Sequence, residues 1–156
     1  MIDIVIDTCT LKHANDPKSK YFEDSVEFIN KMFANSINCV VDEGFTLDES
    51  TNESYIGLEF IKHLQPGSMG YNLVLHFIQN LRLVFVSNKI PNADKNYIER
   101  LIRNKKDRIF LRVAYNTQEK TLVSHDFSDY QKLKRRKIKK EKSINIVTAI
   151  EINSRI

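Results

Sequence analysis

Ile2-Asp3-Ile4-Val5-Ile6 is a short β-branched run that closes on Asp7-Thr8-Cys9-Thr10. Such a run reads as a buried strand, with an acid where the strand gives way to a loop. The arrangement recurs near the other end of the chain, where Thr121 to Ser124 forms a strand candidate ending at His125-Asp126. Ile37 to Val41 is a further strand candidate, and Asp42-Glu43-Gly44 ends it with turn chemistry. Leu83 to Val86 is a short apolar strand candidate, and the β-branched stretch Ile144 to Ile152 reads as the last strand.

Helical patterns separate these runs. Phe22, Val26, Ile29 and Phe33 make one apolar stripe on a helix over Tyr21 to Asn35. Thr46 to Leu64 reads as a helix stopped by Pro66-Gly67, and Gly70 to Leu81 as another. Pro91-Asn92 opens a helix reaching about Asn104, Asp107 stands at the start of the next, and Tyr130 to Lys142 reads as helical. Strands alternating with helices imply parallel pairing through right-handed crossovers. The expected fold is α/β, a three-layer α/β/α sandwich with a mainly parallel central sheet. With 156 residues and no linker or repeat, residues 1–156 read as one domain.

Apolar residues make up 42% of the chain and charged residues 28%, which excludes a disordered class. The net charge of +4 is unevenly distributed. Lys132 to Lys142 holds 8 basic residues and one acid, and the remainder carries a net −3. An acidic body with one basic arm argues against a uniformly charged nucleic-acid coat protein. No apolar run approaches the length that spans a bilayer, so no membrane association is expected. Met1 to Leu11 lacks the basic start of a secretory signal, and Cys9 and Cys39 are too few for a disulfide framework. These features point to a reduced, cytoplasmic protein.

In parallel sheets, ligands gather outside the carboxyl ends of the strands. Asp7 and Asp126 follow strands, Asp107 opens the helix preceding the second of these, and Asp129 lies three residues beyond Asp126. Glu49 follows the second strand, with Glu43, Glu53 and Glu59 as neighbours. Each acid alone also suits a turn or a helix cap, so the reading rests on the ordered set. Gathered carboxylates raise one another's pKa, and a divalent cation offsets that cost. Mg²⁺ or Mn²⁺ takes hard oxygen ligands and retains waters that substrate phosphates replace. The pattern therefore points to metal-assisted phosphoryl chemistry.

The ordered set resembles the PIN-domain nucleases over nearly the whole chain. The matching motifs are Val5-Ile6-Asp7-Thr8-Cys9-Thr10-Leu11, a mid-chain acid, Lys106-Asp107-Arg108-Ile109-Phe110-Leu111, and Leu122-Val123-Ser124-His125-Asp126-Phe127. Cys9 departs from the Ser or Asn commoner at its position. The resemblance implies a Mg²⁺- or Mn²⁺-dependent ribonuclease in which water is the nucleophile. Asp7, Glu49, Asp107 and Asp126 would be its catalytic metal ligands, with Glu53 and Glu43 as alternates to Glu49 and Asp129 as a further ligand. Thr8 and Ser124 would hydrogen-bond a carboxylate, a metal water or a phosphate. Many members are bacterial toxins or defence nucleases and many dimerise, which implies an antitoxin-like partner and a homodimer.

Lys134, Arg135, Arg136 and Lys137 form the centre of the basic arm and are expected to contact RNA phosphates, with Leu133 and Ile138 holding the arm to the body. Two other readings bear on the same residues. One is a catalytically inactive PIN-like module that binds RNA or protein through segment 132–142. The other is a haloacid dehalogenase-type phosphatase, which needs a second Asp two residues after the first; position 9 is Cys. The four histidines share no ligand spacing, and no glycine-rich phosphate loop is present.

Overall fold

The structure is a computed structural model that describes residues 2–156. Five strands make one all-parallel sheet in the order β3-β2-β1-β4-β5. They are β1 (Ile2–Ile6), β2 (Ile37–Asp42), β3 (Leu83–Val86), β4 (Thr121–Val123) and β5 (Asn145–Val147). Helices α1 (Thr8–His13) and α2 (Phe22–Ala34) join β1 to β2, and α3 (Tyr55–His63) and α4 (Met69–Gln79) join β2 to β3. Helices α5 (Asn92–Leu101) and α6 (Lys105–Tyr115) carry the chain back to β4. Then α7 (Lys132–Lys142) leads to β5, and α8 (Ala149–Asn153) follows it. The α/β/α layering expected from the alternation is present.

Burial explains the layering. Ile4, Val5 and Ile6 in β1, Val40 and Val41 in β2, and Leu122 and Val123 in β4 are all buried, as strands covered on both faces must be. Helix α6 lies across β1, β2 and β4 and contributes Phe110, Leu111 and Val113 to the core. Helix α2 packs with α4 and α8 and contributes Phe28, Ile29 and Met32. No helix among the described residues is long and apolar enough to cross a membrane.

Three segments differ from the periodicity reading. Thr46 to Leu64 is helical only from Tyr55, because side chains satisfy the backbone of the preceding loop locally. Asp48 Oδ1 accepts from Ser50 N at 2.9 Å, and Asn52 Oδ1 accepts from Thr46 N at 3.1 Å and Ser54 N at 3.2 Å. Such bonds offer the chain an alternative to a helix. Ile144 to Ile152 is a three-residue strand followed by α8, since Thr148 Oγ1 accepts from Glu151 N at 3.3 Å and starts a helix. Thr8 to His13, directly after Asp7, is a short helix that the pattern did not signal.

Asp42 at the end of β2 sets where α3 begins. Its Oδ1 accepts from Ser54 Oγ and from Ile56 N at 3.0 Å, and its Oδ2 accepts from Tyr55 N at 2.8 Å and Asn88 Nδ2 at 3.3 Å. Gly44 makes the turn after Asp42 with φ +82°, and a Cβ there would meet Glu53 Cβ at 2.8 Å. Asp42→Ala removes a buried ionic acceptor and strands its donors, so it should cost about 2–3 kcal/mol in urea denaturation. A loss below about 0.5 kcal/mol, the size of an ordinary surface change, would show that α3 is held by packing alone.

Candidate functional site

The chain runs outward from β1 through β2 to β3, then returns past β1 to β4 and β5. The crevice at the carboxyl ends of β1 and β4 is thus the switch point of the sheet, where ligands bind in folds of this kind. Asp7 follows β1 directly, and its N–H donates to Val123 O at 2.9 Å, extending the β1–β4 ladder by one bond. Asp126 lies three residues beyond β4. Asp107 enters from the first turn of α6. An oxygen from each of these three carboxylates lies within 4.8 Å of the others.

The surrounding chain holds each acid in place. Ser124 Oγ donates to Asp7 Oδ2 at 2.7 Å and accepts from Asp126 N at 3.1 Å, so one hydroxyl ties the two strand-end acids together. Asp126 Oδ1 accepts from Ser128 N, Ser128 Oγ and Asp129 N at 2.9, 2.9 and 3.1 Å. Asp107 alone would also suit a helix cap, but Asn104 caps α6 by accepting from Lys106 N at 3.0 Å. The Asp107 carboxyl is therefore free to face the crevice. Buried Tyr130 donates its hydroxyl to the Asp107 backbone carbonyl, tying the Asp126 loop to α6.

The electrostatics follow from this crowding. Burial pushes the Asp107 pKa up to about 9, reinforced by the neighbouring Asp129 carboxyl and the charges of Asp7 and Asp126. Burial also raises that of Asp7, against the hydrogen bond from Ser124. For Asp126, burial is outweighed by bonds from Asp129 N–H and Ser128, and its pKa is lowered. Asp107 Oδ2 is buried and has no hydrogen-bond partner. A hard divalent cation fits this donor set: three oxygens converge, and the orphaned one gains a partner.

The remaining expected residues fall in several places. Asp129 stands beside Asp107, outside the group of three. Glu49 is not brought to the crevice. It is exposed in the loop between β2 and α3, as are Glu43 and Glu53. The acid that lines the crevice of about 230 Å³ is instead Glu59 of α3, paired with Lys106 and His63, each at 3.4 Å. Thr8 lines it with a buried, unpartnered hydroxyl. Cys9, at the unusual position, lies 3.8 Å from Ser124 Oγ, and burial followed by the Asp7 charge pushes its thiol pKa well up.

The basic arm also differs from expectation. Arg135 is buried and is no phosphate ligand in this arrangement: its Nε donates to Tyr130 O at 2.6 Å and its Nη2 to Ser124 O and Asp126 O, both at 3.0 Å. Its guanidinium lies 4.2 Å from the Phe127 ring centre, so it braces the Asp126 loop. Lys134, Arg136 and Lys137 lie on α7 outside the crevice; the cations lining it are Lys12 and Lys106. Ile138 is buried and anchors the arm, whereas Leu133 is exposed.

Comparison of the chain with known protein families, curated sequences and solved structures returns no match.

With Asp107 protonated up to about pH 9 in the fold and only to its ordinary 3.8 when unfolded, the folded state binds the extra proton between these values. Stability of the metal-free protein should therefore fall as pH rises through that window. Asp107→Asn should flatten the fall and raise the neutral-pH Tm by about 2–8 °C, the size of a 1–2 kcal/mol gain in a chain of this length. Mn²⁺ should raise the wild-type Tm more than the variant's. Thermal melts in chelator and in Mn²⁺ test this, and a lower Tm for the variant in chelator contradicts it. Arg135→Met keeps the stem but loses three carbonyl bonds, and should cost about 2–4 kcal/mol in urea denaturation.

Proposed function

We propose that this chain is a divalent-metal-dependent nuclease of the PIN type that hydrolyses phosphodiester bonds in RNA. The observation that carries the reading is the convergence of Asp7, Asp107 and Asp126 from three separate elements at the sheet's switch point, with Asp107 Oδ2 buried and without a partner. A cluster that only stabilised the fold would pair its carboxylates with cations or donors, since buried like charges are costly.

Asp7, Asp107 and Asp126 would hold Mg²⁺ or Mn²⁺. When bound, the cation supplies Lewis acidity, lowering the pKa of water and offsetting negative charge on the scissile phosphate. The protein's own groups prepare this in separate ways. Ser124 fixes the Asp7 carboxylate, and the Ser128 and Asp129 N–H groups fix that of Asp126, so neither must reorient. Asp107 holds a proton in the metal-free state and would release it to solvent on binding the cation, which would make metal affinity rise with pH. Lys12 and Lys106 on the crevice wall offer positive charge to a phosphate. Glu59, on the same wall, suits either an outer contact to a metal-coordinated water or the orientation of Lys106. Asp129, next to Asp107, suits the same outer position.

The test is cleavage of RNA and DNA panels with Mg²⁺ or Mn²⁺. Wild type should cleave RNA, chelator should abolish the cleavage, and Asp7→Asn and Asp126→Asn should each lower the rate at least ~100-fold, as loss of a preorganised ionic group does. Glu59→Gln should lower it by more than Glu49→Gln, which should leave it within about twofold of wild type, as for an exposed residue off the site. Cleavage that persists in chelator or in Asp7→Asn overturns the reading. Tight RNA binding with no cleavage under any metal favours an inactive binding module of the same fold.

A further inference from the structure

Helices α3, α5 and α6 enclose a groove of about 410 Å³ that opens off the carboxylate crevice, sharing Glu59, Lys106 and Phe110 with it. Its wall carries six cations against two acids, Glu59 and Glu99. Lys62 from α3, Lys95 from α5, and Lys105 and Arg112 from α6 line it, and none of the four forms an ion pair among the described residues. Arg112 Nε is buried with no hydrogen-bond partner. By contrast, Lys106 is engaged by Glu59, and Arg108 donates to the Ile102 and Glu99 carbonyls at 2.6 and 3.1 Å. The floor is apolar: Tyr55 and Leu58 leave 57% and 38% of their surface in solvent, beside buried Ile109 and Phe110.

Unpaired cations along an apolar, tyrosine-bearing floor match a single-stranded polynucleotide, which offers a line of phosphates on one side and flat bases on the other. A duplex would present only its phosphates, leaving the floor without a partner. We infer that the α3–α5–α6 groove is the track that carries single-stranded RNA to the carboxylate crevice, with Lys62, Lys105 and Arg112 on its phosphates and Tyr55 stacked on a base. This rests on the nuclease reading for its direction, but binding in the groove is separable from cleavage. It also moves substrate contact from α7, where sequence placed it, to helices whose charge is diluted by acids along the chain. The shared wall sets the geometry: a strand leaving the groove past Lys106 meets Asp107 and Asp7 next.

The test is equilibrium binding of a fluorescent 15-nucleotide oligouridylate in chelator, over a range of salt. Replacing Lys62, Lys105 and Arg112 together by Ala should weaken affinity at least ~10-fold and flatten the log-affinity against log-salt slope by about 2, since each single-strand phosphate contact carries about 0.7. Tyr55→Ala should weaken binding with the slope unchanged, and replacing Lys134, Arg136 and Lys137 by Ala should have the smaller effect. Melting temperature controls for folding, and Lys62→Gln, on an exposed side chain, keeps the test readable if the triple variant is unstable. Wild-type affinity and slope in the groove variant overturn the proposal. So does binding lost only in the α7 variant, or groove-dependent binding of a polyglutamate peptide without RNA binding, which marks an acidic protein partner. Groove-dependent RNA binding by a wild type that cleaves nothing upholds the track and sinks the nuclease reading. Cleavage with groove-independent binding sinks the track alone.

Discussion

Three carboxylates within 4.8 Å of one another in a mostly buried crevice repel each other, and a chain left to itself would swing them apart. In this protein they cannot separate, because each is fixed to a different rigid element. Asp7 is locked by the backbone ladder to β4 and by the Ser124 hydroxyl. Asp126 sits in a turn of its own N–H bonds, and Asp107 rides on a helix whose cap is supplied by Asn104. Burial, with the Asp129 carboxyl and this repulsion added to it, favours a proton on Asp107. Small changes in what surrounds the crevice therefore read out as changes in protonation and stability together.

The loop that bears Asp126 shows how that confinement is built. Arg135 reaches back from α7 to the carbonyls of Ser124, Asp126 and Tyr130, while Tyr130 reaches across to the Asp107 carbonyl. A guanidinium has its donors in a fixed planar fork, and here Nε and Nη2 hold three carbonyls in one preset geometry. Its burial removes it from the surface charge of the arm. His125, next to Asp126, points the other way: its Nε2 accepts from Ala149 N at 3.1 Å, its ring stacks on Tyr21, and burial lowers its pKa to about 4. It anchors α8 as a neutral ring and takes no part in the crevice. Adjacent residues on an extended chain face opposite sides, and here one side faces the carboxylate crevice and the other the packing against α8.

The strand ends were legible because short β-branched runs closing on Asp leave little room for another reading. Asp7 and Asp126 were located that way, and Asp107 by its place before an apolar helix. Which mid-chain acid lies beside the crevice was not legible. Thr46 to Leu64 contains Glu49, Glu53 and Glu59, and choosing among them needed the true start of α3. The clue was present in Asp48, Thr51 and Asn52, a cluster of side chains that bond nearby backbone and so compete with a helix. With α3 beginning at Tyr55, Glu59 is the acid on the face toward α6. The helix after β5 escaped for the opposite reason: its β-branched residues suit a strand, and a single Thr148 cap decides otherwise.

Charge runs mislead in a related way. Lys132 to Lys142 stands out because its cations are consecutive, yet a helix distributes consecutive residues around its whole circumference, so few can face any one ligand. Of that run, Arg135 is spent inside the fold, Lys142 is paired with Asp94, and Lys134, Arg136 and Lys137 lie outside the crevice. Lys62, Lys95, Lys105 and Arg112 are scattered over 51 positions among acids and register as nothing in sequence. Three helices bring them to one groove, which Glu59 and Glu99 also line. A phosphate senses distance in space, so cations dispersed along the chain act together where the fold gathers them.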